Sequence, residues 1–374
     1  MLKRLYIDNY KCYSNFELTF NALNLLMGPN GVGKSTIFEV LYKIRAFVSE
    51  GVKVTALFDA GDRTRWQISN TQKFEIELEG NGGIYKYEFA LDDQPRSNNL
   101  RVQYEKLWFN AQPLLNVSLN TEQLYEAQLY RDNHSAGPLF PFDWSQSAIS
   151  SIPSRHDNTK LTWFRERMEE MIIVSLGVTM MESESSQEVQ YPDHAMQNFV
   201  SWFRYLYQDQ GLALEIAREL QEVFSGFKNF KLDKAGEHHR VLKLSFLHEG
   251  DQRKSVEYRF DELSDGQRAL VALYTLLYYA KSGAYTLCID EPENFLALQE
   301  IQPWLIQLYD SCNEGGLQAL LISHHPELID YLASSQGIWF ERENNGLVRA
   351  KPITESGENG LSISELVARG WIHA

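Results

Sequence analysis

The chain has 374 residues, 44% of them hydrophobic, 13% aromatic and 23% charged, which suits about two or three packed domains, or one elaborated domain, and excludes a disordered protein. Fifty acidic residues against 35 basic ones give a net charge of −15, which disfavours non-specific binding of a polyanion by the whole molecule but leaves a local basic groove open. Cys12, Cys288 and Cys312 are far apart, no apolar run reaches the length of a bilayer span, and MLKRLYIDNYK has no apolar signal core; a secreted disulfide scaffold and a membrane protein are excluded, and a cytoplasmic location is expected.

In chain order, Leu5 and Ile7 and then Phe16, Leu18 and Phe20 alternate as strands. Leu23 to Met27 is the short apolar run of a strand buried on both faces, followed by a glycine turn and a helix over Thr36 to Phe47 with Ile37, Val40, Leu41, Ile44 and Phe47 on one side. Residues 65–110 predict a β-ribbon turning at Gly80–Gly83 and at Gln94–Pro95. From 111 to 160 the pattern reads as polar loop, and 181–193 as an acidic, mobile segment without periodicity. Gly211 to Phe224 predicts a helix stopped by Gly226, and 242–246 with 256–260 a hairpin about Gly250. Beyond 260 the order is helix, strand (Tyr285–Ile289), helix, strand (Gln318–Ile322). The expected fold class is α/β, a core split between 1–50 and 255–374, with a β-rich subdomain over 51–110 and an inserted loop and helical lid over 111–254.

Four segments carry chemistry. GPNGVGKS, Gly28 to Ser35, has the spacing of a phosphate loop: glycines let backbone N–H groups converge on a phosphate, Lys34 neutralises β/γ oxygens, and the Ser35 hydroxyl is placed for Mg²⁺. In LCIDEPENFL, Asp290 and Glu291 stand at the C-terminal end of a buried strand, where open α/β sheets bind ligands; Asp290 suits Mg²⁺ and Glu291 the attacking water, while Glu293 lies beyond Pro292 and is the less favoured acid. LSDGQ, Leu263 to Gln267, reads either as a capping box from Ser264 to Gln267 or as an anion-receptive helix start. LLISHHPELID ends a strand in two histidines, of which His324 is nearer the strand terminus and is favoured to donate to a γ-phosphate; a zinc site is not expected around them.

In their chain order, GPNGVGKS, LSDGQ, LCIDEPE and ISHH, the four elements resemble the ABC-type ATPases of the SMC, RecF and OLD-like group, and the opening LKRLYIDNYKCYSNFELTF is similar to that group's first strand and adenine-side loop. The resemblance covers about 1–50 and 255–345 and implies an ABC-type P-loop ATPase core that binds ATP with Mg²⁺. It makes Gly28, Pro29, Asn30, Gly31, Val32, Gly33, Lys34, Ser35 and Thr36 the Walker A loop, Asp290 and Glu291 the Walker B pair, and His324 the switch histidine. Ser264, Gly266 and Gln267 become the signature that meets the nucleotide of a second copy, and Lys11 falls in a nucleotide-touching segment. The group's Mg²⁺-ligating glutamine maps best to Gln146, with Gln67 and Gln72 as competitors.

The chain departs from the group in having neither long coiled coils nor a Toprim domain after His324. The resemblance therefore implies a free-standing AAA-family ATP hydrolase that forms a homodimer or a larger assembly around ATP. Such a protein would control a separately encoded effector, a nuclease or toxin, in bacterial anti-phage defence. A RecF-like ATPase that binds DNA directly and a nucleotide-gated scaffold with negligible turnover are the alternatives. Of the aromatic cluster Phe199, Trp202, Phe203, Tyr205 and Tyr207, most are expected in the core and some on a docking surface.

Overall fold

β1 (Leu2–Asp8) pairs antiparallel with β2 (Phe16–Thr19), Leu5 opposite Leu18 and Ile7 opposite Phe16, as the alternation predicts. β3 (Leu23–Met27) is buried at every position and leads through the glycine turn into α1 (Lys34–Ser49). After the short α2 (Val54–Leu57), an antiparallel meander follows: β4 (Gln72–Gly80), β5 (Gly83–Asp93), β6 (Leu100–Phe109), β7 (Gln112–Leu119), β8 (Tyr125–Tyr130) and β9 (Ala136–Pro141). It extends the first pair into an eight-stranded sheet ordered β2-β1-β4-β5-β6-β7-β8-β9. The polar stretch expected as loop over 111–160 thus contains three strands. Pro113 and the many polar residues blur the alternation, but Leu114, Leu115, Val117, Ala127 and Leu129 are buried and continue the apolar face. The short α3 (Ala148–Ser151) and α4 (Thr159–Glu169) pack on α1.

The two faces of this sheet differ, as a half-covered antiparallel sheet requires. Inward, Phe74 and Phe89 meet Phe58, Tyr87 lies against Phe89, and Phe47 from α1 meets Phe89 with ring centroids 5.0 Å apart. On the other face Arg4, Lys73 and Lys86 surround Glu75. Two hairpins close through two-residue turns, Asn81–Gly82 and Asn110–Ala111, with both central residues at positive φ, the hand that matches strand twist.

The structure, a computed structural model, describes residues 1–93, 100–119, 125–248, 251–283, 285–342, 346–353 and 361–370. The turns expected at Gln94–Pro95 and Gly250 lie outside the described residues. The chain forms two compact units. The first holds everything above, joined by β-strands from near the end of the chain. The second begins with β10 (Met171–Ser175), β11 (Glu184–Ser185), α5 (Phe199–Leu206) and α6 (Gln210–Val223). Then come β12 (Phe227–Lys234), β13 (Arg240–His248), β14 (Asp251–Arg259) and α7 (Asp265–Gly283). It ends with β15 (Thr286–Asp290), α8 (Leu298–Asn313), β16 (Gln318–Ile322) and α9 (Pro326–Gln336).

β15 and β16 run parallel with Thr286 opposite Gln318 and Asp290 opposite Ile322, and their apolar residues are fully buried, as parallel strands covered on both faces must be. α7 is buried along most of its length, and the Trp304 indole of α8 donates to the Leu273 carbonyl at 3.0 Å. Phe199, Trp202 and Phe203 are core residues of this unit, while Tyr205 and Tyr207 are exposed. β17 (Gly337–Arg342) and β18 (Val348–Pro352) belong to the first unit, where β17 runs parallel to β3, Ile338 opposite Leu26, and antiparallel to β18. α10 (Ile363–Ala368) belongs to the second, tied to α9 by the Ser364 N–H and hydroxyl donating to Asp330. Among the described residues no helix is long and apolar enough to cross a membrane.

Candidate functional site

The loop between β3 and α1 has the geometry its glycines predict. Gly28, Gly31 and Gly33 all take positive φ, and Gly33 is the N-cap of α1 without any side-chain cap, so the N–H groups at the helix start are not covered by a side chain. Two of these glycines are sterically required. A Cβ on Gly28 would lie 2.3 Å from the Phe340 carbonyl oxygen, and one on Gly33 would lie 2.7 Å from Cys12 Sγ. Tyr13 fixes the same loop by donating its hydroxyl to the Gly33 carbonyl at 2.8 Å. The ammonium of Lys34, buried at 6% exposure, donates to the Gly28 and Pro29 carbonyls at 2.8 and 3.0 Å, so its charge stands over the loop. A backbone cradle with a lysine across it and an uncapped helix start behind it fits a polyphosphate. Tyr13 and the Phe340 carbonyl escape sequence reading: the first lies outside the phosphate-loop motif, and the second lies some three hundred positions from the loop it supports.

Lys11 lies in the loop after β1 at φ +48°, with its ammonium on both oxygens of Glu39 at 2.6 Å. Burial works against the Glu39 charge, but hydrogen bonds from Lys11, Lys43 and Tyr10 hold its pKa below the usual carboxylate value. Burial also pushes the Cys12 thiol up, so this cysteine is not an activated nucleophile. Gln146 occupies the turn before α3. Its N–H donates to the Asp143 carbonyl at 3.3 Å, and its half-buried side-chain amide makes no hydrogen bond among the described residues. The competitors differ: the Gln67 amide donates to Asp8 and Ser14, and Gln72 is 0% exposed.

In the second unit the parallel pairing brings two predicted segments together. Asp290 ends β15 opposite Ile322, and the Glu291 N–H donates to the Ile322 carbonyl at 2.9 Å, so the acids and His324 stand at neighbouring strand ends. Glu291 takes a left-handed backbone at φ +52°, uncommon for a side chain of this kind and typical of functional turns. Its carboxylate accepts from Asn294 at 2.9 Å. His324 is exposed, whereas His325 accepts the Glu327 N–H on Nδ1 at 3.3 Å in the first turn of α9. Glu293 is not an open base: its Oε1 accepts from the Ser323 hydroxyl and the His324 N–H, and its Oε2 is buried.

At the start of α7 the reciprocal capping box is present, Gln267 N–H to Ser264 Oγ at 3.2 Å and Ser264 N–H to Gln267 Oε1 at 3.0 Å. Ser264 is exposed, and a Cβ on Gly266 would lie 2.9 Å from the Phe295 carbonyl oxygen, so the helix start sits close on the loop that follows the acids. Lys11, the phosphate loop and Gln146 thus belong to the first unit; the signature, Asp290, Glu291 and His324 belong to the second. Among the described residues no group of three or more His, Cys, Asp or Glu side chains could hold a metal by itself.

The fold is that of an SMC head. The chain aligns over 95% of its length with 99% of the SMC head domain from Thermotoga maritima, at TM-score 0.52 and 15% identity. It aligns over 94% of its length with 98% of an SmcHead solved bound to the C-winged helix domain of ScpA, at TM-score 0.53 and 10% identity. Residues 23–330 match the family described as AAA domain, putative AbiEii toxin, Type IV TA system, and the chain belongs to that family. A 41-residue stretch is 42% identical to the OLD nuclease of Thermus scotoductus, which is 11% of this chain and only 8% of that protein. The chain is an ABC-type ATPase-fold protein of the SMC, RecF and OLD-like group.

Proposed function

We propose that the protein is an ATP hydrolase that pairs with a second copy around ATP and thereby controls a separately encoded effector, a nuclease or toxin. The observation that carries the hydrolytic reading is the juxtaposition of Asp290 and Glu291 with the His324 turn at the ends of two parallel strands. In this reading Gly28 to Thr36 hold the phosphates and Lys34 neutralises them. Glu291 orients and deprotonates the attacking water, and His324 donates to the γ-phosphate. Ser35, Asp290 and Gln146 would hold Mg²⁺, which when bound neutralises charge on the β- and γ-oxygens. Lys11 would leave Glu39 to reach the nucleotide. The core that does this is proposed to be split between 1–50 and 255–374, with 51–110 and 111–254 as elaborations.

Support for an effector comes from the toxin–antitoxin description of the family and from the nuclease name of the short relative. A related head has been solved with a winged-helix domain bound, so the fold has precedent for a protein partner. Ser264, Gly266 and Gln267 are proposed to meet the γ-phosphate held by the other copy, an arrangement that one self-complementary two-fold interface satisfies. Mixing Lys34→Ala with Ser264→Arg chains tests it. Each variant alone is inactive, and the mixture regains ATP turnover, because a heterodimer restores one intact site. A mixture as inactive as its parts, with both variants folded, leaves Ser264 and Gln267 as a helix cap only.

A further inference from the structure

Glu293 is the one acid of the LCIDEPENFL segment to which the proposed chemistry gives no part, yet its carboxylate is bonded to the turn that carries His324. Its Oε1 accepts from Ser323 Oγ at 2.6 Å and from the His324 N–H at 3.2 Å. Ser323 is 1% exposed, and its hydroxyl oxygen accepts in turn from the His325 N–H at 3.0 Å. One carboxylate oxygen therefore fixes three consecutive residues of the turn that presents the His324 ring. From the other side, the Glu291 N–H donates to the Ile322 carbonyl, and the Leu296 N–H closes the loop onto the Glu293 carbonyl at 3.0 Å. The left-handed φ of Glu291 opens this loop immediately after β15. The remaining oxygen, Glu293 Oε2, is buried without a hydrogen bond among the described residues, so the side chain is committed to the turn rather than to solvent.

We propose that Glu293 is a positioning residue that sets the spacing between the Glu291 carboxylate and the His324 imidazole. The proposal rests on the hydrolytic reading of those two residues. An error of about 1 Å in such a spacing costs on the order of 10²-fold in rate without touching ground-state binding.

The test measures kcat, together with nucleotide affinity by equilibrium binding, for Glu293→Ala, Glu293→Gln, His324→Ala and the double variant Glu293→Ala/His324→Ala. Glu293→Ala lowers kcat by about 10²-fold at unchanged nucleotide affinity. Glu293→Gln, which keeps an acceptor at Oε1, recovers most of that loss. The double variant is no slower than His324→Ala, since Glu293 acts through the histidine. A slowed His324→Ala beside a parental Glu293→Ala, or losses that multiply in the double variant, overturns the positioning role and leaves the hydrolytic reading intact. A parental rate in His324→Ala overturns the reading of the histidine and the positioning role with it.

Discussion

At the scale of single residues, two buried carboxylates have opposite consequences for stability. Glu105 on β6 is 0% exposed and gathers the Tyr87 hydroxyl at 2.9 Å, the Ala148 N–H at 2.7 Å and the Ser147 hydroxyl. Burial raises its pKa, and these hydrogen bonds only partly oppose the rise. An acid whose folded pKa is raised binds more protons folded than unfolded, so stability falls as pH climbs from the ordinary Glu range through the raised value. Glu105→Gln should flatten that limb in denaturant unfolding followed between pH 4 and 8. Glu105→Ala should cost about 1–3 kcal/mol for each donor left unsatisfied. Glu75 is the reverse case. Burial opposes its charge, but Arg4, Lys73 and Lys86 override it and bring the pKa from 4.5 to about 2. Its contribution is complete above pH 4.5 and is lost as pH falls toward 2, so Glu75→Gln should weaken the protein at neutral pH and blunt its loss of stability in acid. Ala111 gives a simpler case: at φ +63° in a hairpin turn, Ala111→Gly should raise stability by about 1 kcal/mol, read as a higher unfolding midpoint.

At the scale of elements, what could be read from sequence was what is local. The run Leu23–Met27, the helix that follows the glycine turn, and the buried strands before Asp290 and Ser323 each announce themselves within a dozen residues, and each stands where its periodicity places it. β7 to β9 were not legible, because Pro113 and polar residues interrupt the alternation and the strands are defined by the neighbours they pair with. The candidate site divides in the same way. Glycine spacing foretells positive φ at Gly28, Gly31 and Gly33, but nothing in the sequence foretells that Tyr13 and the Phe340 carbonyl fix that loop. Contacts distinguish the paired candidates without assigning a role to either. His325 accepts the Glu327 N–H at the start of α9 and His324 is exposed with its N–H on Glu293, and the Gln67 amide donates to Asp8 and Ser14 while the Gln146 amide makes no hydrogen bond among the described residues. The double character of Ser264–Gln267 persists, since a capping box and an anion-receptive helix start are compatible in one segment.

At the scale of the whole molecule, a net charge of −15 sets an expectation that separates the proposed function from its DNA-binding alternative. Counterion release makes any phosphate-contacting protein lose affinity steeply with salt. The purified chain should show no duplex binding at about 0.15 M salt in any nucleotide state. Tight binding with a steep salt slope would favour a RecF-like role, in which the ATPase clamps DNA itself.

The central claim is that Glu291 is the general base of an ATP hydrolase, and the rate of ATP turnover by Glu291→Gln tests it most directly. The substitution keeps the shape of the side chain and its bond from Asn294, and removes only the basicity. ATP should still bind to this variant while turnover falls by roughly 10²–10⁴-fold, the usual loss when a general base is removed. Hydrolysis at the parental rate would contradict it.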